Sequence, residues 1–170
     1  ANMTFDASQG TGTGGSGDII FRTAPPNLAI DTITFNGSTT ASTTGTSLTF
    51  SHTVNSGSSR ILIVVTAVAS YSRITNITYG GTGLTKLATS TYSSLADAEM
   101  WYLLNPSTGA ANVVVTSGVS QTVTALALNY TGVDQTTPFG TPATSTGTGN
   151  TTVNVSSAVN ELVIDIVAYS

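Results

Sequence analysis

Residues 60–69 restrict this chain's fold more than any other segment. The run Arg60-Ile-Leu-Ile-Val-Val-Thr-Ala-Val68 is apolar at nearly every consecutive position and rich in β-branched side chains. β-Branched residues favour a pleated strand, and a strand that is apolar on both faces belongs inside its fold. The run therefore reads as a central strand. Around it the pattern changes to alternation, clear in residues 30–35, 48–54 and 74–79. Period-two patterning means one buried face and one wetted face. Further strands are expected near 84–92, 96–104, 111–117, 122–131, 151–155 and 161–169.

Turn signals separate these segments: the Gly/Thr stretch 80–83, Asn105-Pro106, Gly118, residues 132–134, Pro138 and residues 147–149. A Ser/Thr/Gly-rich turn is expected just before Ser47, and one brief helical turn at residues 93–97. Roughly ten short strands, spaced about every 8–14 residues, predict an all-β fold. The expected form is an antiparallel two-sheet sandwich, jelly-roll or Ig-like, with an extended N-terminal arm. Residues 47–51 with 60–65 are echoed by 152–156 with 161–167, which predicts two equivalent strand pairs.

Composition narrows the function classes. Hydrophobic residues make up 39% of 170, enough for one domain with a packed core. About a third of the residues are Ser or Thr, and only 7% are charged. The four cations, Arg22, Arg60, Arg73 and Lys86, are scattered and cannot neutralise a phosphate backbone. Nucleic acid and anionic membrane surfaces are therefore not expected partners. No segment approaches the roughly 18 apolar residues of a membrane span. The absence of cysteine excludes a disulfide framework and thiolate metal sites. It favours a bacterial surface or phage structural protein over a small secreted eukaryotic domain. The strand-like run Leu162–Ala168 lies at the end of the sequence, which reads as a fragment.

Residues 1–29 form the expected arm, and residues 30–170 the folded domain. Gly10–Gly17 is a glycine tract that reads as a linker. Its G-x-G-x-x-G spacing lacks the preceding strand and following helix of a dinucleotide fingerprint. A short strand, Asp18–Thr23, follows, and Pro25-Pro26 ends it. Ile19, Ile20 and Phe21 are the candidate subunit contacts.

Few residues offer chemistry. His52 is the one histidine and reads as an ordinary strand residue, with no local carboxylate or nucleophile to form a triad. Asp97 and Glu99 are two apart and share a strand face, a spacing that can serve glycoside hydrolysis. Sugar hydrolysis also wants an aromatic cleft, and only Trp101 and Tyr102 are near, so a structural pair is expected. Trp101 is assigned to the core. Tyr71 and Tyr92 sit at strand ends or loops and are the candidate surface contacts. The aspartates are isolated, with no D-x-D-x-D-G run, so no calcium ligand is assigned. The six N-x-S/T sequons carry little weight in so Ser/Thr-rich a chain.

Several motifs stand in a familiar order. They are residues 60–65, 79–87, 98–106 (Ala-Glu-Met-Trp-Tyr-Leu-Leu-Asn-Pro), 110–115, 131–138 (Thr-Gly-Val-Asp-Gln-Thr-Thr-Pro) and 161–165. Together they resemble a β-sandwich module of bacterial surface and phage structural, tail-fibre-like proteins, over residues 30–170. In that family the module continues for further strands, and the resemblance implies no catalytic residues. Residues 15–25 are similar to glycine-punctuated stalk segments of phage tail fibres, which implies intertwined trimers.

The expectation is a non-catalytic structural or adhesive subunit, without cofactors, on a virion or cell surface. Its expected partners are copies of itself, as a trimer or filament, and a cell-surface glycan. One alternative is a bacterial extracellular filament, in which residues 18–23 add as a strand to the next subunit. The other is a carbohydrate-active enzyme using Asp97 and Glu99.

Overall fold

The structure, a computed structural model, describes residues 2–8, 18–21, 32–69, 71, 73–93, 95–148 and 152–169. It is all-β, with no helix among the described residues. Among the described residues ten strands follow in chain order: β1 Asn2–Ser8, β2 Asp18–Phe21, β3 Thr34–Val54, β4 Ile61–Val68 and β5 Ile74–Tyr79. Then come β6 Thr82–Gly83, β7 Thr85–Tyr92, β8 Ala96–Leu104, β9 Gly109–Thr131 and β10 Leu162–Tyr169.

Where the sequence predicts two sheets of a sandwich, the main ladder runs through one antiparallel sheet, ordered β6-β5-β9-β4-β8-β7, with β3 paired to β9. Only Leu84 separates β6 from β7, yet they occupy the two ends of that order. The chain thus ties one end of the sheet to the other, and the sheet is nearly closed into a barrel. β9 supplies the opposite corner. Its first half pairs with β5 and its second half with β4, while β3 follows it through both. The register with β3 shifts between Gly45 and Ser47, and Ser117–Ser120 bulge out opposite.

β4 is the central strand, as its composition predicts. All eight of its residues are buried. Leu62, Val64 and Val68 point into the barrel with Ile77, Trp101, Val113 and Val115. Ile61, Ile63 and Val65 point the other way and meet Met100, Leu128, Tyr130 and Val133. β10 covers that second cluster with Ile164 and Ile166. Each such side chain contributes about 1.5–3 kcal/mol by leaving water. Trp101 is buried in the inner cluster, as assigned.

Several expectations change. The segment expected to turn before Ser47 is strand, so β3 is one unit of 21 residues. Thr sustains a strand as well as a turn, and β9 pairs it: Ser42 Oγ lies 3.1 Å from Thr124 Oγ1, and Thr44 Oγ1 lies 2.7 Å from Thr122 Oγ1. Residues 32–33 are not strand, and 152–158 make a single bridge at Val153. The two expected strand pairs are therefore not equivalent: β4 sits in the main sheet, and β10 in a separate one. Among the described residues of 93–97 there is no helix; Leu95 N–H donates to Tyr92 C=O and β8 begins at Ala96.

β10 is flanked antiparallel by β1 and β2. Ile19, Ile20 and Phe21 lie in β2 opposite Ile164, Val163 and Leu162 of the same chain. The glycine tract 10–17 and residues 22–31 lie outside the described residues.

Arg60 pins three loops together. Its guanidinium donates to the carbonyls of Pro106 and Gly57 and to Asn105 Oδ1, at 3.0, 2.7 and 2.6 Å. Its own carbonyl accepts from Asn105 N–H and from Gln135 Nε2. Gly57 is required beside it: a Cβ there would lie 2.5 Å from Thr131 Cγ2.

Candidate functional site

Asp97, Glu99 and Trp101 alternate along β8 and face the barrel interior, opposite Val68, Thr66 and Val64 of β4. On the other side β7 brings Thr91, Thr89 and Lys86 opposite the same three residues. A one-residue bulge at Leu87 makes this arrangement. In a regular strand Lys86 would lie on the opposite face from Thr89 and Thr91, and the extra residue reverses that parity.

The two carboxylates share a face, as their spacing predicts, and each is engaged by its own chain. Glu99 is 4% exposed; its Oε2 accepts from Trp101 Nε1 at 2.8 Å, and its Oε1 pairs with Lys86 Nζ at 2.9 Å. The Lys86 ammonium also lies 4.9 Å from the centre of the Trp101 ring. Asp97 accepts from the hydroxyls of Thr91 and Thr89. Period two and the retained face were legible in the sequence; Lys86, across a bulge, was not.

His52 lies at the other end of the barrel, 2% exposed, on the inner face of β3. Its Nε2 is 3.1 Å from Asn129 Oδ1, which can only accept, so Nε2 donates. Neutral His52 then accepts at Nδ1 from the Thr39 hydroxyl, 3.0 Å away. Tyr79 closes the cluster by donating to the Gly109 carbonyl at 2.7 Å. Burial holds the imidazole pKa below its ordinary value, against the bond to Asn129, which raises it. His52 is thus a strand histidine in a polar knot, and its ring partners are Thr39 and Asn129.

Asp134 is held by its own turn. Its Oδ1 accepts from the Thr136 and Thr137 amides, and its Oδ2 from the Thr137 hydroxyl. The Thr136 amide bond, first among these, keeps the carboxyl below the usual range. Among the described residues no three His, Asp or Glu side chains form a group that could hold a metal ion.

The tyrosines assigned as surface contacts come to one end of the barrel. Tyr71 follows β4, whose last residue Val68 pairs with both Asp97 and Val123. Tyr92 pairs with Ala96 at the start of β8. The bulge of β9 joins them, because Gly118 N–H donates to Arg73 C=O and Ile74 pairs with Ser117. Ser117 shapes this bulge by donating its hydroxyl to Val119 C=O at 2.7 Å. Tyr71, Leu95 and Val119 are 50%, 50% and 47% exposed, three of the five exposed large hydrophobics among the described residues. Tyr92 is half-buried. Sequence patterning did not single out Leu95 and Val119, one in an expected helical turn and the other between two expected strands.

Comparisons with protein-family models, curated proteins and solved structures find no match. No helix among the described residues is long and apolar enough to cross a membrane.

Proposed function

We propose that this chain is a non-catalytic structural and adhesive subunit of a phage virion appendage, tail-fibre-like or decorating, working as copies of itself. In this role the two halves of the bent β3–β9 ribbon serve as the two layers of a sandwich-like module. The gathering of Tyr71, Leu95 and Val119 at one barrel end carries the reading. Large contiguous exposed apolar patches mark contact surfaces, and three loops present exposed apolar side chains at this one end. Tyr71, Tyr92 and Arg73 add the aromatic and hydrogen-bonding groups that a sugar surface takes. The occupied carboxylates of Asp97 and Glu99 support a structural role for the acid pair over the carbohydrate-active alternative.

Weak contacts at each tip become useful when several copies present them together. The test joins electron microscopy of the purified chain with binding to a panel of immobilised cell-surface glycans. An elongated oligomer is expected, and Tyr71→Ala with Leu95→Ala should lower its binding at least tenfold. A compact monomer, or binding that the double variant leaves unchanged, overturns the reading.

The filament alternative draws on β2, which already pairs as an added strand with β10. Exchanging that strand between neighbours would join copies head to tail. Removing residues 1–29 should then abolish filaments; a closed oligomer that survives the deletion removes this alternative.

A further inference from the structure

The outer edge of β3 is open among the described residues. In an antiparallel ladder each residue turns its N–H and C=O to one side, and consecutive residues alternate. Gly80 N–H donates to Asn112 C=O at 3.0 Å, so Asn112 faces β5, and Val113 and Val115 face β3. Their partners Phe50 and Leu48 face β9 in return. Ser47, Thr49, Ser51 and Thr53 therefore turn their backbone groups the other way, where β3 has no strand neighbour among the described residues. All four are exposed.

Open edges are normally guarded by charge or proline. Between Thr34 and Val54 there is no Lys, Arg, Asp, Glu or Pro. Two irregularities interrupt β3, at Phe35/Gly37 and Gly45/Ser47, and they leave residues 47–54 in regular register.

We propose that this edge pairs with the same edge of a second copy, antiparallel about a twofold axis. A strand joined to itself in this way closes the assembly as a dimer contact, and a charge-free strand meets no like charge at the axis. The register that uses the whole edge sets Ser47 opposite Thr53 and Thr49 opposite Ser51, with two hydrogen bonds per pair. It places Phe50, half-buried against the inner cluster, opposite its own counterpart. Ser and Thr hydroxyls then meet across the join as Ser42 and Thr44 already meet Thr124 and Thr122 within the chain. The inference rests on the self-assembly reading and names the surface through which it operates.

Thr49→Pro with Ser51→Pro removes two outward N–H groups and no bond to β9. Light scattering on the unaltered chain should give a particle built from pairs of the 17.2 kDa chain. The double variant should raise the half-dimer concentration about a hundredfold or more, with its circular dichroism unchanged. Hydrogen exchange on the unaltered chain gives a second readout that needs no variant. The Thr49 and Ser51 amides should become protected as concentration rises, while the Phe50 amide is protected throughout. An oligomer whose Thr49 and Ser51 amides exchange freely overturns the edge pairing and leaves self-assembly standing. A monomer at every concentration overturns both. Protection of these amides only by an added uncharged peptide overturns self-pairing.

Discussion

β3 and β4 bond to opposite edges of the same stretch of β9, and they do opposite work. β4 has a strand on each side, and every one of its residues is buried. Among the described residues β3 pairs with β9 alone, and it alternates exposed hydroxyls with half-buried positions, with only Leu48, His52 and Val54 buried. Both are fully formed strands. Strand formation in this molecule therefore does not require an apolar segment; it requires a partner whose other face is already held in a core. β9 is that partner, because Val123, Ala125 and Ala127 hold it in the inner cluster beside β4.

The largest expected effect tests this division directly. Leu62 is fully buried in the inner cluster, so Leu62→Ala should cost about 2–5 kcal/mol, measured by urea unfolding. Thr49→Ala on the exposed face of β3 should stay within about 0.5 kcal/mol. A loss at Thr49 approaching that at Leu62 would mean that the exposed face of β3 stabilises the fold as strongly as the core does.

The second effect concerns the acid pair against which β4 packs through Thr66 and Val68. Glu99→Ala leaves the buried Trp101 N–H without its acceptor and should cost about 1–3 kcal/mol. Glu99→Gln keeps an acceptor and should cost less, because Lys86 is 38% exposed and its ion pair is screened. Equal losses for the two variants would assign the stabilisation to charge, and the indole bond would then be incidental.

These contrasts mark what patterning can reveal. β4 was legible because eight consecutive buried positions leave an apolar run, β5 because alternation survives along it, and β8 because residues 98–104 are the most apolar stretch around an aromatic. The middle of β3 was not, since Ser and Thr serve turns and strands alike and the deciding partner lies some 80 residues on, at Thr122 and Thr124. Asp97 and Glu99 could be placed on one face from their spacing. Lys86 could not be added to them, because the bulge at Leu87 is set by pairing with β8. Tyr71 and Tyr92 were placed at strand ends or loops from the sequence, but that Leu95 and Val119 lie at the same end of the barrel follows from the strand pairing.

A third, smaller effect separates β3 from β4 by pH. His52 is the titratable group that anchors β3 inward, and β4 has none. With its native pKa below the ordinary 6.5, the unfolded chain takes up a proton before the native chain does. Stability is therefore full above pH 6.5, declines as pH falls, and levels off once the native imidazole is also protonated. Urea midpoints between pH 8 and about 5 should show this decline, and His52→Gln should flatten it. Asp134 adds a separate decline below its ordinary value of 3.8, outside that window. Parallel profiles for the two proteins would place the titration elsewhere.

The smallest effect asks whether the hydroxyl ladder that joins β3 to β9 is worth anything beyond the backbone bonds beneath it. Thr44 and Thr122 are directly opposite and 2.7 Å apart at their hydroxyls, on the exposed face. Water competes for both groups, so each single change to Ala should be small. The pairwise term is isolated by a double-mutant cycle with Thr44→Ala, Thr122→Ala and both together. A coupling of about 0.2–1 kcal/mol is expected for a cross-strand hydroxyl pair. A coupling of zero would mean that the ladder only tolerates these hydroxyls. The same pairs could then lend no strength to a join between two β3 edges, and that join would rest on main-chain bonds and on Phe50. A coupling at the upper end would let the charge-free outer face of β3 contribute specific energy wherever a second hydroxyl row lies opposite it.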